Sequence, residues 1–429
     1  MTFLNDVAQE YPDAVSFAAG RPYEGFFDLG DVHRYLDRFV AHLRATSGGD
    51  EARVRRTLLQ YGRTKGIIHD LVARNLAVDE GIEADPESIV VTVGCQEALF
   101  LTLRALRRTE RDAVLAVVPC YVGLSGAAEL AELPVLPVEN SAAGIDLDDL
   151  VRVVERAKAD GRRPRACYVV PDFANPSGAS MPRATRERLL ELAEEHDFLL
   201  LEDNPYGLFH QAAARPPTLK ALDRSRRVVY LGSYAKTGIP GARIGFVVAD
   251  QTVDVGAGDP VPAEGGRPAR SETLADQLAK IKSMLTVNTA PLAQAVIGGK
   301  LLAHDCDLRA ANARETRVYQ DNLRRVLDGL AERFPAGSSP SVSWNAPTGG
   351  FFVILTVPFP ADDALLALSA RKHKVLWTPV HHFYGDGVAR HQIRLSFSQL
   401  TPDEIDRGLD RLAAFIGEQS ASPRQGDAR

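Results

Sequence analysis

Cysteine, tryptophan and methionine are scarce, with four, two and three copies among 429 residues. Cys95, Cys120, Cys167 and Cys306 lie far apart with no metal-ligand spacing, so neither a disulfide framework nor a bound metal is expected. As small buried residues they suit a reducing cytoplasm, where the protein is placed. No apolar run approaches the roughly 20 residues of a membrane span. The start, MTFLNDVAQEYPD, carries acidic residues and no long apolar run, so no signal peptide is expected. Positive charge is not in excess either: 50 Lys and Arg meet 56 Asp and Glu, a net charge of -6 spread along the chain, which argues against a nucleic-acid partner. No internal repeat is visible.

What is present is a globular composition, 45% hydrophobic and 25% charged, in a chain long enough for two domains. The chain is organised around residues 228–249, VVYLGSYAKTGIPGARIGFVVA. Two short apolar runs read as buried strands flanking a turn punctuated by Gly and Pro, with Lys236 and Arg243 inside it. A lysine at the mouth of two buried strands suits a pocket, where desolvation makes its amine a nucleophile of the Schiff-base kind. The alternative is a solvated surface lysine.

Further apolar runs read as strands near residues 89, 114, 135, 167, 198 and 228, with helices expected over 147–159 and 182–196 between some of them. The run from Ile89 turns through Gly94, Cys95 and Gln96 into a helix, an end that attracts phosphate. Asp203 closes the run FLLLED, a costly place for a charge without a cationic partner. Other helices are expected over 32–44, 273–285 and, as one piece, 308–334.

These segments resemble the class I/II aminotransferases of fold type I, enzymes dependent on pyridoxal 5′-phosphate. The resemblance rests on GCQEAL, Tyr121 in PCYVG, Asn175 in NPSG, Asp203 and Tyr206 in EDNPY, Ser233-x-x-Lys236, Pro240-Gly241-x-Arg243 and Arg394 in QIRLSFS. It covers roughly residues 10 to 415 and is nearest to the aminoadipate, kynurenine and aromatic branch. The segment SFAAGRP is similar to one in transaminases that make arylglycines.

The resemblance implies an α/β fold: a large domain with a mainly parallel seven-stranded sheet, plus a smaller α/β domain. The divisions expected are 1–45 for the amino-terminal arm and part of the small domain, 46–300 for the large cofactor domain, 301–416 for the small domain and 417–429 for a disordered tail. Lys236, Asp203 and Tyr206 are implied as catalytic residues. Gly94, Cys95, Gln96, Ser233 and Arg243 would surround the phosphate, Tyr121 would stack on the ring, Asp203 would hold its nitrogen, and Asn175 and Tyr206 its phenolic oxygen. Arg394 and Asn175 would bind substrate, with Arg394 clamping a carboxylate. Tyr61 resembles the tyrosine that reaches a partner's phosphate, which implies a homodimer with shared sites, although tyrosine before glycine also suits an ordinary turn. Tyr121 could equally be a core residue.

The implied function is transfer of an amino group between an α-amino acid and a 2-oxo acid. Elimination or replacement at the β or γ carbon, decarboxylation and O2-dependent oxidation remain alternatives on the same residues. A transcription factor is not expected, because no helix-turn-helix precedes the arm. Three departures stand out. Arg21 replaces a usual apolar residue and would hold a polar group of the substrate, or lie on the surface. Residues 250–272 form a Gly- and Pro-rich insertion, read as a flexible loop with a lid or interface element as the alternative. His381 and His382 are expected to be solvated loop residues, with substrate contact or acid/base work as the alternative.

Overall fold

The computed structural model describes residues 7, 9–210, 215–255 and 270–421. Its main sheet comprises β1 (Ile89–Val93), β2 (Asp112–Val118), β3 (Val135–Glu139), β4 (Arg163–Val169), β5 (Leu199–Asp203), β6 (Val228–Ser233) and β7 (Ile244–Val248). The spatial order is β1-β7-β6-β5-β4-β2-β3. Strand β7 runs antiparallel to both neighbours and every other pairing is parallel, so six strands point one way.

Alternation of side chains explains the long apolar runs. Val114, Ala116, Tyr168, Leu201 and Val229 enter one core, whereas Leu115, Cys167, Leu200 and Val228 enter another on the opposite face. A sheet buried on both faces needs apolar residues at every position rather than every second one. The first core lies beneath α1 (Gly94–Leu106) and α2 (Val122–Leu130), the second beneath α3 (Leu147–Ala159) and α4 (Arg183–Glu195). Asp146 starts α3 by accepting the Asp149 N–H, and Thr273 with Asp276 forms a capping box for α5 (Leu274–Leu285).

A four-stranded antiparallel sheet holds β8 (Ser343–Trp344), β9 (Phe352–Ala361), β10 (Thr378–Pro379) and β11 (Arg390–Ser396) in the order β8-β9-β11-β10. Val15–Ser16 pairs in parallel with Val375–Leu376, which ties the amino-terminal arm to this region. The helix expected over 308–334 is interrupted: Asn312 separates Leu308–Ala311 from Ala313–Arg333, and its amide donates to the carbonyls of Leu308 and Thr237. The expected tail begins too early, because the last helix, Pro402–Ala421, continues past residue 416. The rest of that tail lies outside the described residues. The 250–272 insertion is not wholly loop, since Thr252–Val255 and Arg270–Thr273 form an antiparallel ribbon. Residues 256–269 lie outside the described residues.

Among the described residues no helix is long and apolar enough to cross a membrane. Cys120, Cys167 and Cys306 are buried, and Cys95 is half-buried at the head of α1.

Helices Leu29–Thr46 and Pro291–Ala303 pack through two adjacent glycines. A methyl on Gly298 would meet the Phe39 ring, and one on Gly299 would run into the Tyr35 carbonyl. Alanine normally stabilises a helix interior over glycine by up to about 1 kcal/mol. Gly299→Ala should reverse that sign and destabilise the protein by about 1–3 kcal/mol, read from urea denaturation.

Candidate active site

Six strands aligned in one direction bring their carboxyl ends to one edge, where ligands of open α/β sheets bind. Gly94 follows β1, Tyr121 follows β2, Asn175 follows β4, Asp203 ends β5 and Ser233 ends β6. Arg243 precedes the reversed strand β7 and so reaches the same edge. The fold thus brings these residues to one edge of the sheet.

Helix α1 starts without a side-chain cap, leaving its first-turn N–H groups available. Gly94 has φ 72°, and a side chain there would collide with the Arg243 guanidinium. Arg243 itself takes a left-handed conformation, φ 53°, which turns it back over the helix start. Uncapped amides beside a guanidinium form a cradle suited to a phosphate. Gln96 donates its amide to the Gly123 carbonyl at 2.7 Å. Ser233 Oγ accepts the Ala235 N–H. Tyr121, half-buried, stands at the head of α2.

Asp203 is 6% exposed. Its Oδ2 accepts the Tyr168 hydroxyl at 2.6 Å, and its Oδ1 receives only the Cys95 thiol at 3.6 Å. Burial raises its pKa to about 6, opposed by the bonds from Tyr168 and Cys95 and by the Lys236 charge. A buried carboxylate with one weakly engaged oxygen fits a cationic ring N–H. With the phosphate cradle and a nearby amine, these groups fit pyridoxal phosphate.

Lys236 Nζ donates to the Gly20 carbonyl at 2.7 Å. Burial lowers its pKa to about 8, helped by Arg394, Arg243 and Arg21 and opposed by Asp203. Tyr206 packs edge-on against Phe351 and Phe352, with Lys236 Nζ 6.0 Å from its ring centre.

Arg394 is 5% exposed and pairs with no carboxylate among the described residues. Its Nη1 donates to Asn175 Oδ1 at 2.6 Å, and its Nη2 donates to the Ala18 carbonyl at 2.5 Å and to Thr378 Oγ1 at 3.1 Å. Its Nε has no hydrogen-bond partner among the described residues. The guanidinium lies 4.4 Å from the Phe352 ring centre and 5.1 Å from that of Phe383. Burial pulls its pKa down to about 10. A dry, uncompensated guanidinium suits a carboxylate arriving from solution.

Two expected residues stand differently. Tyr61 is 83% exposed, and among the described residues no hydrogen bond or ring contact joins it to the others. Arg21 is exposed, although its charge reaches Lys236 and its carbonyl accepts the Ser398 hydroxyl. The expectation of solvated histidines is corrected for His381, which is 9% exposed; His382 is partly exposed, with its Nε2 2.7 Å from Asp363 Oδ1. His381 Nε2 lies 3.8 Å from the same oxygen, whose carboxylate begins helix Asp363–Leu368, while the His382 side chain stays 29% exposed. These three residues could each offer a metal ligand atom, although 2.7 Å is the length of a hydrogen bond.

Sequence reasoning missed Tyr168, the carbonyls of Ala18 and Gly20, Thr378 and the ring of Phe352. Tyr168 left a signal, being a polar-tipped residue inside an otherwise apolar buried strand.

The sequence profile of the family "Aminotransferase class I and II" matches residues 40–412. The chain is 57% identical over 424 residues to an (S)-3,5-dihydroxyphenylglycine transaminase of Amycolatopsis orientalis, covering 99% of this chain and 92% of that protein. A 2-aminoadipate transaminase of Thermus thermophilus is 29% identical over 408 residues, covering 94% and 90%. The solved Pyrococcus horikoshii kynurenine aminotransferase, in complex with PMP, superposes with a TM-score of 0.78 at 28% identity, covering 98% of this chain and 94% of that one.

Because the folded protein holds Lys236 at a lower pKa than the unfolded chain, folded molecules carry fewer protons between about pH 8 and 10.5. The cost of burying this amine is therefore full below pH 8 and fades as pH rises through 10.5. Lys236→Met should remove it. In urea denaturation without cofactor, the stability of the variant relative to wild type should fall by at most about 3 kcal/mol between pH 7 and 10.5.

Proposed function

The chain belongs to the class I and II aminotransferases and is a pyridoxal-phosphate-dependent transferase acting between amino and 2-oxo acids, and from that premise we propose that its amino acid is an arylglycine bearing phenolic hydroxyls. The observation that supports this most is the 57% identity to a 3,5-dihydroxyphenylglycine transaminase across nearly the whole chain. Arg21 adds to it as a cation beside Lys236, available to a phenolic oxygen of the substrate.

When bound, pyridoxal phosphate carries the amino group and draws electron density from the substrate's α-carbon. In this reading Gly94, Cys95 and Gln96 offer N–H groups to the phosphate, with Ser233 and Arg243 completing the cradle. Tyr121 would stack on the ring. Asp203 would hold the ring nitrogen as a cation. Asn175 Oδ1 is committed to Arg394, so its amide NH2 is the part left to donate to the phenolic oxygen, beside the Tyr206 hydroxyl. The Arg394 guanidinium grips the substrate carboxylate and fixes which α-carbon bond faces Lys236. Lys236 Nζ is substantially neutral near pH 8, so it can take the proton from Cα and return one to the product side.

The reading includes a cytoplasmic homodimer. Leu59, Tyr61, Met284, Leu285, Val287 and Leu292 are exposed apolar or aromatic residues, and Gly62 lies close to Asn288 and Pro291. A second copy would cover this face and bring Tyr61 to its neighbour's phosphate. Tyr61→Phe should leave the sedimentation coefficient unchanged while weakening cofactor binding roughly tenfold in a fluorescence titration.

The substrate proposal is tested by supplying the holoprotein with (S)-3,5-dihydroxyphenylglycine and a panel of 2-oxo acids, following the matching aryl 2-oxo acid by mass spectrometry. A kcat/KM at least about tenfold above those for tyrosine and 2-aminoadipate is expected. A preference of that size for either competitor sinks the arylglycine assignment. Arg394→Lys should lower kcat/KM on the preferred substrate about 100-fold through loss of the planar fork.

A further inference from the structure

We infer that Tyr168 is a positioning residue for the cofactor's ring nitrogen: it occupies Oδ2 of Asp203 and thereby presents Oδ1 as the oxygen that holds the nitrogen's proton. The inference rests on the reading of Asp203 given above and assigns a role to a strand residue outside that reading.

The placement follows from strand register. Tyr168 on β4 pairs with Leu201 on β5, and Asp203 lies two residues beyond Leu201. Residues two apart on a strand face the same way, so the hydroxyl and the carboxylate emerge on the face covered by α1. Cys95, in the first turn of α1, approaches that carboxylate from the helix side.

The two carboxylate oxygens are therefore unequal. Oδ2 accepts a 2.6 Å bond from a hydroxyl that is 2% exposed, and Oδ1 has only a thiol at 3.6 Å. A thiol is a weak donor that a cationic N–H displaces at small cost, whereas the short phenolic bond persists. Burial and the Asp203 charge hold the Tyr168 pKa well above its ordinary value, so its proton stays on the phenol. The bond favours the ionised carboxylate in a site where burial alone disfavours it. Tyr168 thus keeps Asp203 both charged and turned, without touching the cofactor.

The test compares two ligands in cofactor-free protein: pyridoxal phosphate, and its benzene analogue in which C–H replaces the ring nitrogen. Wild type should bind pyridoxal phosphate more tightly than the analogue. Tyr168→Phe should lower that ratio roughly tenfold while leaving the analogue's Kd within about twofold. Equal losses for both ligands would mean that Tyr168 only supports the fold, and no loss would mean that the hydroxyl is idle. Either result overturns the inference. Equal binding of both ligands by wild type would instead overturn the Asp203 reading beneath it. If cofactor-free Tyr168→Phe does not fold, holoprotein carrying a 15N-labelled ring gives the answer. A ring-nitrogen shift moved toward that of neutral pyridine supports the role, and an unchanged shift overturns it.

Discussion

The rest of the site depends on an imbalance of charge held away from water. The charges of Arg394, Arg243 and Arg21 all act on Lys236, with Asp203 opposing them, and Arg394 is almost completely buried with no acidic partner among the described residues. Such an arrangement is unfavourable in isolation, because a buried ion needs a counter-charge. The surrounding fold supplies only partial compensation. Two backbone or side-chain oxygens meet one arm of the Arg394 guanidinium, the Asn175 amide meets the other, and Phe352 and Phe383 lie near it. What is missing is negative charge, and that is what a phosphate and an amino acid's carboxylate bring. The site is built as an incomplete set of ion pairs.

The architecture that tolerates this strain is the parallel sheet. With both faces buried beneath helices, the strands can be apolar through most of their length, with Asp203 and Ser233 at their carboxyl ends. That segregation made much of the protein readable in advance. A continuous apolar run followed by Asp203, or by Ser233 and Lys236, reads as a buried strand with polar groups at its exit. The alternating strand residues had no such punctuation. Tyr168 sits in the middle of its run, and only the register between β4 and β5 reveals that it meets Asp203.

Other features were hidden for different reasons. The break at Asn312 depends on an amide reaching the Thr237 carbonyl far along the chain, so local helical propensity could not announce it. His381 and His382 look like loop residues by composition, but their environment is set by Asp363, which arrives from a separate helix. Tyr61 illustrates the opposite limit. Its ring is 83% exposed and, among the described residues, makes no bond or ring contact to the rest of the site.

The segment after Val15–Ser16 links these themes. It leaves a strand pairing with Val375–Leu376, then gives up three carbonyls almost in succession: Ala18 to Arg394, Gly20 to Lys236 and Arg21 to Ser398. Two of those three partners are the groups that the proposed mechanism assigns to the substrate. Residues 18–21 are therefore stitched to the candidate site, and a substitution that moves this segment would shift Arg394 and Lys236 with it.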